Sequence, residues 1–250
     1  MPADHVVILG ATSRIGAAVA EHELRRGSLV TLVGRDSAEL AIVAADLLFR
    51  GGQEVCTVCL QQSHDSTSLG GWPASVEALG RIARCYCFVG ADKRESGSIA
   101  ADLNQALTDN ALLPIQLLEP LLEHMSQNGS GAVIVVSSVA LLVPRPDVAA
   151  YGASKAALSF MLQSLMQSRA YQALRIIEVR LGWVDTRMSA GTTIGALTQG
   201  APEAAAKIMA LADSPAGVKY VPGWWWLLAV GGPAIRLVLR LRGRQHSSSS

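Results

Sequence analysis

The sequence has few charged residues, few aromatic residues and almost no excess charge of either sign. Charged residues make up 16% of the 250 residues and aromatic residues 5%, and the formal net charge is +1. A balance so close to neutral gives no whole-molecule attraction to nucleic acid, so nucleic-acid binding is not expected. Hydrophobic residues make up 50% of the chain, which is ample for a sizeable core.

The beginning of the sequence also lacks the pattern of a signal peptide. Its apolar run at residues 6–10 is short and follows Asp4. A secretory signal would need a basic start and a longer apolar core. We therefore expect a cytoplasmic protein.

Cysteine is scarce, and the four cysteines form two close pairs, Cys56/Cys59 and Cys85/Cys87. A CxxC followed by a CxC is one pattern that binds zinc. Both pairs lie in strand-like runs, however, where Cys56 and Cys59 point to opposite faces and cannot hold one ion together. The sequence predicts free, buried thiols and no metal site.

Apolar runs typical of strands alternate with segments of helical period along most of the chain. The strand-like runs lie at 6–10, 29–34, 54–60, 84–90, 132–137, 175–181 and 218–221. The helical segments lie near 15–26, 37–50, 100–127, 150–171 and 202–212. Alternation of this kind is typical of parallel crossovers, and continuously apolar strands are typical of a sheet covered on both faces. The sequence predicts a single-domain α/β fold with a doubly wound parallel sheet of about seven strands.

We divide the chain into three parts. The α/β domain is predicted over 1–222, an apolar tail that carries arginines over 223–246, and a disordered serine tail over 247–250.

The first strand runs into the turn GATSRIG at 10–16 and then into a helical segment. Glycine at position 10 permits a tight turn, and glycine at position 16 permits close packing of the helix. The helix start presents free N–H groups and a positive dipole end to a phosphate. This predicts a pyrophosphate-binding turn, with contacts from Gly10, Thr12, Ser13, Arg14, Ile15 and Gly16.

The second strand ends in Gly34, Arg35 and Asp36. Glycine occupies the position where a carboxylate would bind an adenosine ribose, and the guanidinium that follows can hold a 2′-phosphate. Asp36 could instead cap the next helix, with Arg35 as an ordinary solvated arginine. We predict NADP(H) as the cofactor in preference to NAD(H).

The turn at 10–16, Ser138 and the YxxxK motif at 151–155 together resemble the short-chain dehydrogenase/reductase family, over about residues 5–222. The resemblance implies a catalytic tetrad of Asn110, Ser138, Tyr151 and Lys155. In such a tetrad the asparagine holds a water that relays a proton from the lysine.

The segment LGWVDT at 181–186 resembles the family's PGxxxT segment, whose backbone holds the nicotinamide amide. The resemblance therefore implies cofactor contacts from Gly90, Tyr151, Lys155, Gly182, Val184 and Thr186. The sequence departs from the family pattern in four places: Arg14 replaces the middle glycine of the turn, residues 87–90 read CFVG in place of an NNAG-like segment, no aspartate follows the third strand, and Leu181 replaces the usual proline.

The spacing of Tyr151 and Lys155 has a chemical reason, because residues four apart share one face of a helix. A free phenol has a pKa near 10, so proton transfer near pH 7 asks for a shift of roughly 3 units, or about 4 kcal/mol. An ammonium at about 4 Å in an effective dielectric near 20 supplies approximately that much. The pair predicts an acid/base tyrosine, with Ser138 as second donor to a substrate carbonyl.

The tail at 221–244 contains three consecutive tryptophans and then Arg236, Arg240 and Arg244 at every fourth position. Its uncharged part is broken by proline and glycine and is too short to span a bilayer of ~30 Å. Tryptophans followed by a basic amphipathic pattern are typical of an interfacial anchor. We predict peripheral membrane contact; the alternative is a helix packed over the substrate pocket or in a subunit interface.

The segment 188–202 is rich in glycine and unpatterned, which predicts a lid over an apolar substrate pocket. The turn, the segment GWVDTRMS and the tail resemble one branch of the family, the decaprenylphosphoryl-pentulose 2-keto reductases. We predict a homodimer or homotetramer that uses NADPH to reduce a hydrophobic ketone, such as a lipid-linked keto-sugar. The alternatives are a non-catalytic NADP(H)-binding scaffold and a membrane-surface interaction protein.

Overall fold

The computed structural model of the protein describes residues 3–51, 54–62, 69–91, 96–185 and 198–231. The strands in these ranges are β1 (His5–Leu9), β2 (Leu29–Gly34), β3 (Val55–Cys59), β4 (Gln61–Gln62), β5 (Leu69–Gly70), β6 (Ile82–Cys87), β7 (Gly131–Ser138), β8 (Leu174–Leu181), β9 (Val184–Asp185), β10 (Gln199–Gly200) and β11 (Gly217–Val221). The α-helices are α1 (Arg14–Arg25), α2 (Ser37–Phe49), α3 (Trp72–Glu77), α4 (Ile99–Leu107), α5 (Leu113–Gln127), α6 (Ala149–Met166) and α7 (Ala201–Ala210).

Seven of these strands form one sheet in the order β11-β8-β7-β6-β1-β2-β3. Every neighbouring pair in it is parallel. The chain therefore winds outward from β1 to β3, crosses back to β6 and winds outward again to β11. The doubly wound parallel sheet that the sequence predicts is confirmed, and the reversal between β1 and β6 opens a crevice at the carboxyl ends of the strands.

Successive residues of β1, an interior strand of the sheet, enter two different cores, because side chains alternate between the faces of a sheet. Val6 and Ile8 of β1 join the core beneath α1, α2 and α7. Val7 and Leu9 join the core beneath α3, α5 and α6. All four side chains are fully buried, which explains why this strand reads as a continuous apolar run.

Two parts of the fold differ from the prediction. Helix α3 was not predicted; its Trp72 is buried and donates its indole N–H to the carbonyl oxygen of Leu117 at 3.0 Å. The helix predicted over 100–127 is divided, because the π-helical turn Thr108–Leu112 lies between α4 and α5.

The prediction of buried thiols is wrong for one cysteine pair. All four cysteines are free, and Cys85 and Cys87 are buried on the central strand β6. Cys56 and Cys59 are exposed, because β3 is an edge strand of the sheet.

The tail and the lid fall partly outside the described ranges. Residues 226–231 are helical, and the predicted anchor beyond 231, with the serine tail, lies outside the described residues. Residues 188–197 of the predicted lid also lie outside them, whereas β10 pairs with β9 and α7 begins at Ala201. None of the described helices combines the length and the apolar character needed to cross a bilayer.

Candidate active site

A cleft of about 720 Å³ opens at the carboxyl ends of the central strands. Most of the predicted site residues line it: Gly10, Thr12, Ser13, Arg14, Ile15, Arg35, Gly90, Ser138, Tyr151, Lys155, Gly182 and Val184. Thr186 lies outside the described residues. The fold thus brings together segments that are up to 174 positions apart in the sequence, from Gly10 to Val184.

The turn after β1 has a conformation that depends on glycine. Gly10 has a φ of +74°, in the left-handed region that other residues rarely adopt, and a Cβ atom there would lie 3.0 Å from the carbonyl carbon of Phe88. Ser13 caps α1, since its Oγ accepts a hydrogen bond from the Gly16 N–H at 3.0 Å. Arg14, the first residue of α1, is exposed at the edge of the cleft.

Arg35 lies at the same end of the cleft and is exposed. The carboxylate of Asp36 caps α2, where Oδ1 accepts from the N–H groups of Ala38 and Glu39, both at 2.9 Å. The alternative considered for Asp36 in the sequence analysis is therefore correct. Since Asp36 is engaged with the helix start, Arg35 is the residue of the pair that faces the cleft.

Asn110 is buried in the π-helical turn Thr108–Leu112, with 1% of its surface exposed. Its Oδ1 accepts a hydrogen bond from the Ala91 N–H at 2.9 Å. A π-helical turn adds a residue to the helical ladder and redirects the side chains near it, and such turns are frequent at functional sites. No sequence pattern indicates this turn.

Gly90 marks the point where Asn110 and Lys155 approach each other. A Cβ atom on Gly90 would lie 2.8 Å from Asn110 Oδ1 and 2.9 Å from Lys155 Nζ. Glycine is needed here because both polar atoms occupy the space that a side chain would fill. Lys155 of α6 and Asn110 of the π-helical turn therefore meet beside the backbone that follows β6.

Tyr151 and Lys155 lie on α6, and Lys155 Nζ is 5.8 Å from the centre of the Tyr151 ring. Lys155 is buried, and the loss of hydration lowers its pKa to about 8, while the neighbouring Cys87 acts in the opposite direction. Burial likewise raises the pKa of the Cys87 thiol to about 11. The proximity of Cys87 to the lysine was not predicted from the sequence.

Ser138 ends β7 beside the cleft. Its Oγ accepts a hydrogen bond from the Ala140 N–H at 3.2 Å and so caps the turn at Val139–Leu141. Its own N–H donates to Ser137 Oγ at 2.6 Å. A serine hydroxyl that accepts one bond still has a hydrogen to donate, so capping is compatible with a contact to substrate.

The segment after β8 is covered by the first residues of the tail. The Gly182 N–H donates to the Val221 carbonyl oxygen at 2.8 Å, and the Trp225 indole packs so closely that a Cβ on Gly182 would overlap it. The rings of Trp183 and Trp225 lie 5.4 Å apart, and the Arg145 guanidinium lies 5.7 Å from the Trp183 ring. The described part of the tail therefore packs at the mouth of the cleft, as the alternative interpretation of the tail has it, whereas the Arg145 contact was not predicted.

A doubly wound sheet whose first turn directs a helix N-terminus at a cleft defines the class of Rossmann-type dinucleotide-binding proteins. A model of the short chain dehydrogenase family matches residues 4–195. The chain belongs to this family, whose members are oxidoreductases, and the expected resemblance is confirmed.

Individual relatives and solved structures are similar to most of the chain. An uncharacterized oxidoreductase of Staphylococcus epidermidis is 28% identical over 194 residues, which cover 76% of this chain and 81% of the relative. A short chain dehydrogenase from Burkholderia cenocepacia, solved with NADP, has a TM-score of 0.80 at 23% identity and covers 96% of this chain and 97% of its own. A short-chain dehydrogenase from Sphingobium yanoikuyae, solved with NADPH, has a TM-score of 0.78 at 23% identity, with 95% of each chain covered.

Proposed function

We propose that the protein is an NADPH-dependent oxidoreductase that reduces a ketone to an alcohol. The observation that carries the proposal is the meeting of Asn110 and Lys155 at Gly90, with Tyr151 one helical turn from the lysine and inside the same cleft. A cluster of three polar groups from two segments, the π-helical turn and α6, beside a mainly apolar interior is typical of a functional site.

The residues of the cleft fit the cofactor that this activity needs. The glycine turn and the start of α1 would hold the pyrophosphate, and Gly90, Gly182 and Val184 would border the nicotinamide. When bound, NADPH supplies a hydride to the carbonyl carbon. The chain's own residues then have to orient the ketone and supply one proton.

Tyr151 is the proposed proton donor to the carbonyl oxygen, so that hydride and proton together convert the ketone to an alcohol. Lys155 stabilises the resulting phenolate, and its pKa of about 8 leaves it mainly protonated near pH 7. Ser138 donates a hydrogen bond to the same oxygen as charge develops there. Asn110 is the proposed holder of a water that returns a proton to Lys155.

NADP(H) is the proposed cofactor because Arg14 and Arg35 are both exposed at one end of the cleft. Two cations there favour an additional phosphate on the adenosine ribose. The complexes of two structurally similar dehydrogenases with NADP and NADPH support the same choice.

The test combines cofactor binding with turnover. NADPH fluorescence is expected to report binding to the wild type and to Tyr151→Phe alike, since the phenol oxygen is not needed to hold the nucleotide. With benzil, an apolar aromatic diketone, as probe, Tyr151→Phe is expected to lower kcat by about 100- to 10,000-fold. Equal turnover by both proteins would refute the role of Tyr151. Tight NADPH binding by a wild type that reduces neither benzil nor other apolar ketones would favour the non-catalytic scaffold.

A hydrophobic substrate taken from a membrane surface is the proposed substrate class, with lipid-linked keto-sugars among its members. Leu228 lines the cleft, while Trp224, Trp226, Leu227 and Val230 beside it are 42–70% exposed. An exposed apolar group that leads into a basic amphipathic sequence suits an interface with anionic lipid.

Sedimentation with phosphatidylglycerol vesicles tests this contact. The full chain is expected to sediment with the vesicles, and Trp226→Ser/Leu227→Ser is expected to sediment less. Phe49→Ser, which removes an exposed apolar side chain at the end of α2, is the control and should sediment as the wild type does. Equal sedimentation of all three proteins would rule out membrane contact through the exposed residues of the tail.

We also propose that the protein is a homodimer or homotetramer. Phe160 and Met161 are 74% and 44% exposed on α6, and an uncovered apolar helix face favours association with a second copy. Light scattering measures the mass directly, and a monomer at micromolar concentration would contradict the proposal.

A further inference from the structure

A carboxylate with no exposed surface lies behind the cleft on β8. Glu178 accepts hydrogen bonds from Ser137 Oγ at 2.8 Å, from Ser159 Oγ at 2.9 Å and from Arg180 Nε at 3.1 Å. Arg180 also donates to Ser159 Oγ at 2.9 Å and to the Tyr220 hydroxyl at 3.0 Å. The charge of the carboxylate is thus balanced, and both of its oxygen atoms have donors.

The two serines on this carboxylate belong to the two elements that carry the proposed catalytic residues. Ser137 precedes Ser138 on β7, and its Oγ accepts the Ser138 N–H at 2.6 Å. Ser159 lies on α6, four residues after Lys155 and eight after Tyr151, and it is buried. Glu178 therefore links the end of β7, which carries Ser138, to α6, which carries Tyr151 and Lys155.

A contribution to stability is not a sufficient reason for the buried ion pair between Glu178 and Arg180. Burying two charges costs hydration, and well-packed apolar residues of similar volume are often equally stable or more stable. A fully paired polar network has a different advantage, because it permits one relative placement of the elements that it joins.

A second buried carboxylate provides the comparison within the same molecule. Glu23 on α1 also has no exposed surface and accepts from Arg84, from Tyr86 and from Ser28, the last at 2.9 Å. None of these four residues lines the cleft. Ser28 and Ser159 thus each donate a hydrogen bond of the same length to a buried carboxylate. Of the two carboxylates, only Glu178, which Ser159 contacts, lies next to the candidate active site.

We propose that Glu178 is a positioning residue that, through Ser137 and Ser159, sets the distance between the Ser138 hydroxyl and the Tyr151 hydroxyl. The inference rests on the proposed function, in which both hydroxyls contact the substrate oxygen. A displacement of about 1 Å in such a site can lower the rate about 100-fold. Neither Glu178 nor Ser159 lines the cleft, so each acts through its neighbours.

Ser159→Ala tests the proposal with Ser28→Ala as matched control. Each change removes one hydroxyl from a buried carboxylate, so both are expected to lower the thermal midpoint by a similar amount. With NADPH and benzil, Ser159→Ala is expected to lower kcat by between about 10- and 100-fold without changing the KM for NADPH. Ser28→Ala is expected to keep kcat, and Ser159→Thr, which retains the hydroxyl, is expected to restore it.

Crystal structures of the two alanine variants separate this proposal from the proposed activity. Displacement of Ser138 relative to Tyr151 by more than about 0.5 Å in Ser159→Ala alone supports the positioning role, even if benzil is not a substrate. An unchanged separation, or equal loss of kcat in both alanine variants, overturns it. A wild type that binds NADPH but reduces no ketone contradicts the proposed function and leaves the crystallographic result to decide the positioning role.

Discussion

The two halves of the cleft differ in how far their predicted functional residues are buried. In the half that contains the proposed catalytic residues, Asn110 and Lys155 are 1% and 5% exposed, and their polar atoms border the same glycine. In the half that contains the glycine turn, Arg14 and Arg35 are exposed. A substitution in the catalytic half therefore disturbs packing and geometry, whereas a substitution in the turn half removes charge from a solvated surface.

The largest expected effect concerns stability in the catalytic half. Burial lowers the pKa of Lys155 from 10.5 to about 8, a shift of about 2.5 units or about 3 kcal/mol. Lys155→Met is therefore expected to raise the free energy of unfolding by about 3 kcal/mol near pH 7 while abolishing turnover. Urea denaturation measures the gain, and a destabilised variant would contradict it.

The gain in the free energy of unfolding that is expected for Lys155→Met depends on pH, and its direction follows from the lowered pKa of Lys155. Below the folded pKa of about 8, Lys155 is charged in both states and the whole cost of burying the charge is present. Between about 8 and 10.5 the folded state binds fewer protons than the unfolded state, so the wild type gains stability as the pH rises. The advantage of methionine should shrink over that window, which urea denaturation at several pH values measures.

The next effect concerns geometry in the same half. Gly90→Ala would place a methyl group 2.8 Å from Asn110 Oδ1 and 2.9 Å from Lys155 Nζ, so at least one of these groups has to move. We expect kcat with NADPH and benzil to fall about 100-fold while the protein remains folded.

Gly200→Ala is the control for that change, because a Cβ there meets only Pro202 Cδ at 3.8 Å, an ordinary contact. It should keep the wild-type kcat. If Gly90→Ala also keeps the wild-type kcat, the close approach of Asn110 and Lys155 is not needed for catalysis.

Much of the fold could be predicted from the sequence, because strands buried on both faces are continuously apolar. Val6 to Leu9 illustrate this, since neighbouring residues enter opposite cores. The helix at Trp72–Glu77 could not be found in the same way, because six residues are too few to show a helical period. The exposure of Cys56 and Cys59 depends on which strand lies at the sheet edge, and the local pattern does not contain that information.

The candidate site was predictable where one short segment carries its residues, as in the turn at 10–16 and the pair on α6. It was not predictable where contacts join distant segments. Glu178 and Arg180 look like alternating polar residues of a strand, and only the parallel pairing of β7 with β8, which sets Ser137 opposite Arg180, brings them behind Ser138. The π-helical turn at Asn110 lies between α4 and α5, and the local composition does not indicate it.

The smallest expected effect concerns Arg35, in the half of the cleft that contains the glycine turn. It tests whether the protein prefers NADPH to NADH. Arg35→Ala is expected to weaken NADPH binding about 10-fold, since a charge-assisted hydrogen bond contributes about 1.5 kcal/mol at the low end of its range. NADH lacks the 2′-phosphate, so its affinity should not change. Fluorescence titration with both nucleotides measures the ratio, and Arg169→Ala, which removes an exposed arginine that does not line the cleft, controls for net charge. An equal loss of affinity for both nucleotides would place Arg35 near the pyrophosphate they share, and the preference for NADPH would then depend on Arg14.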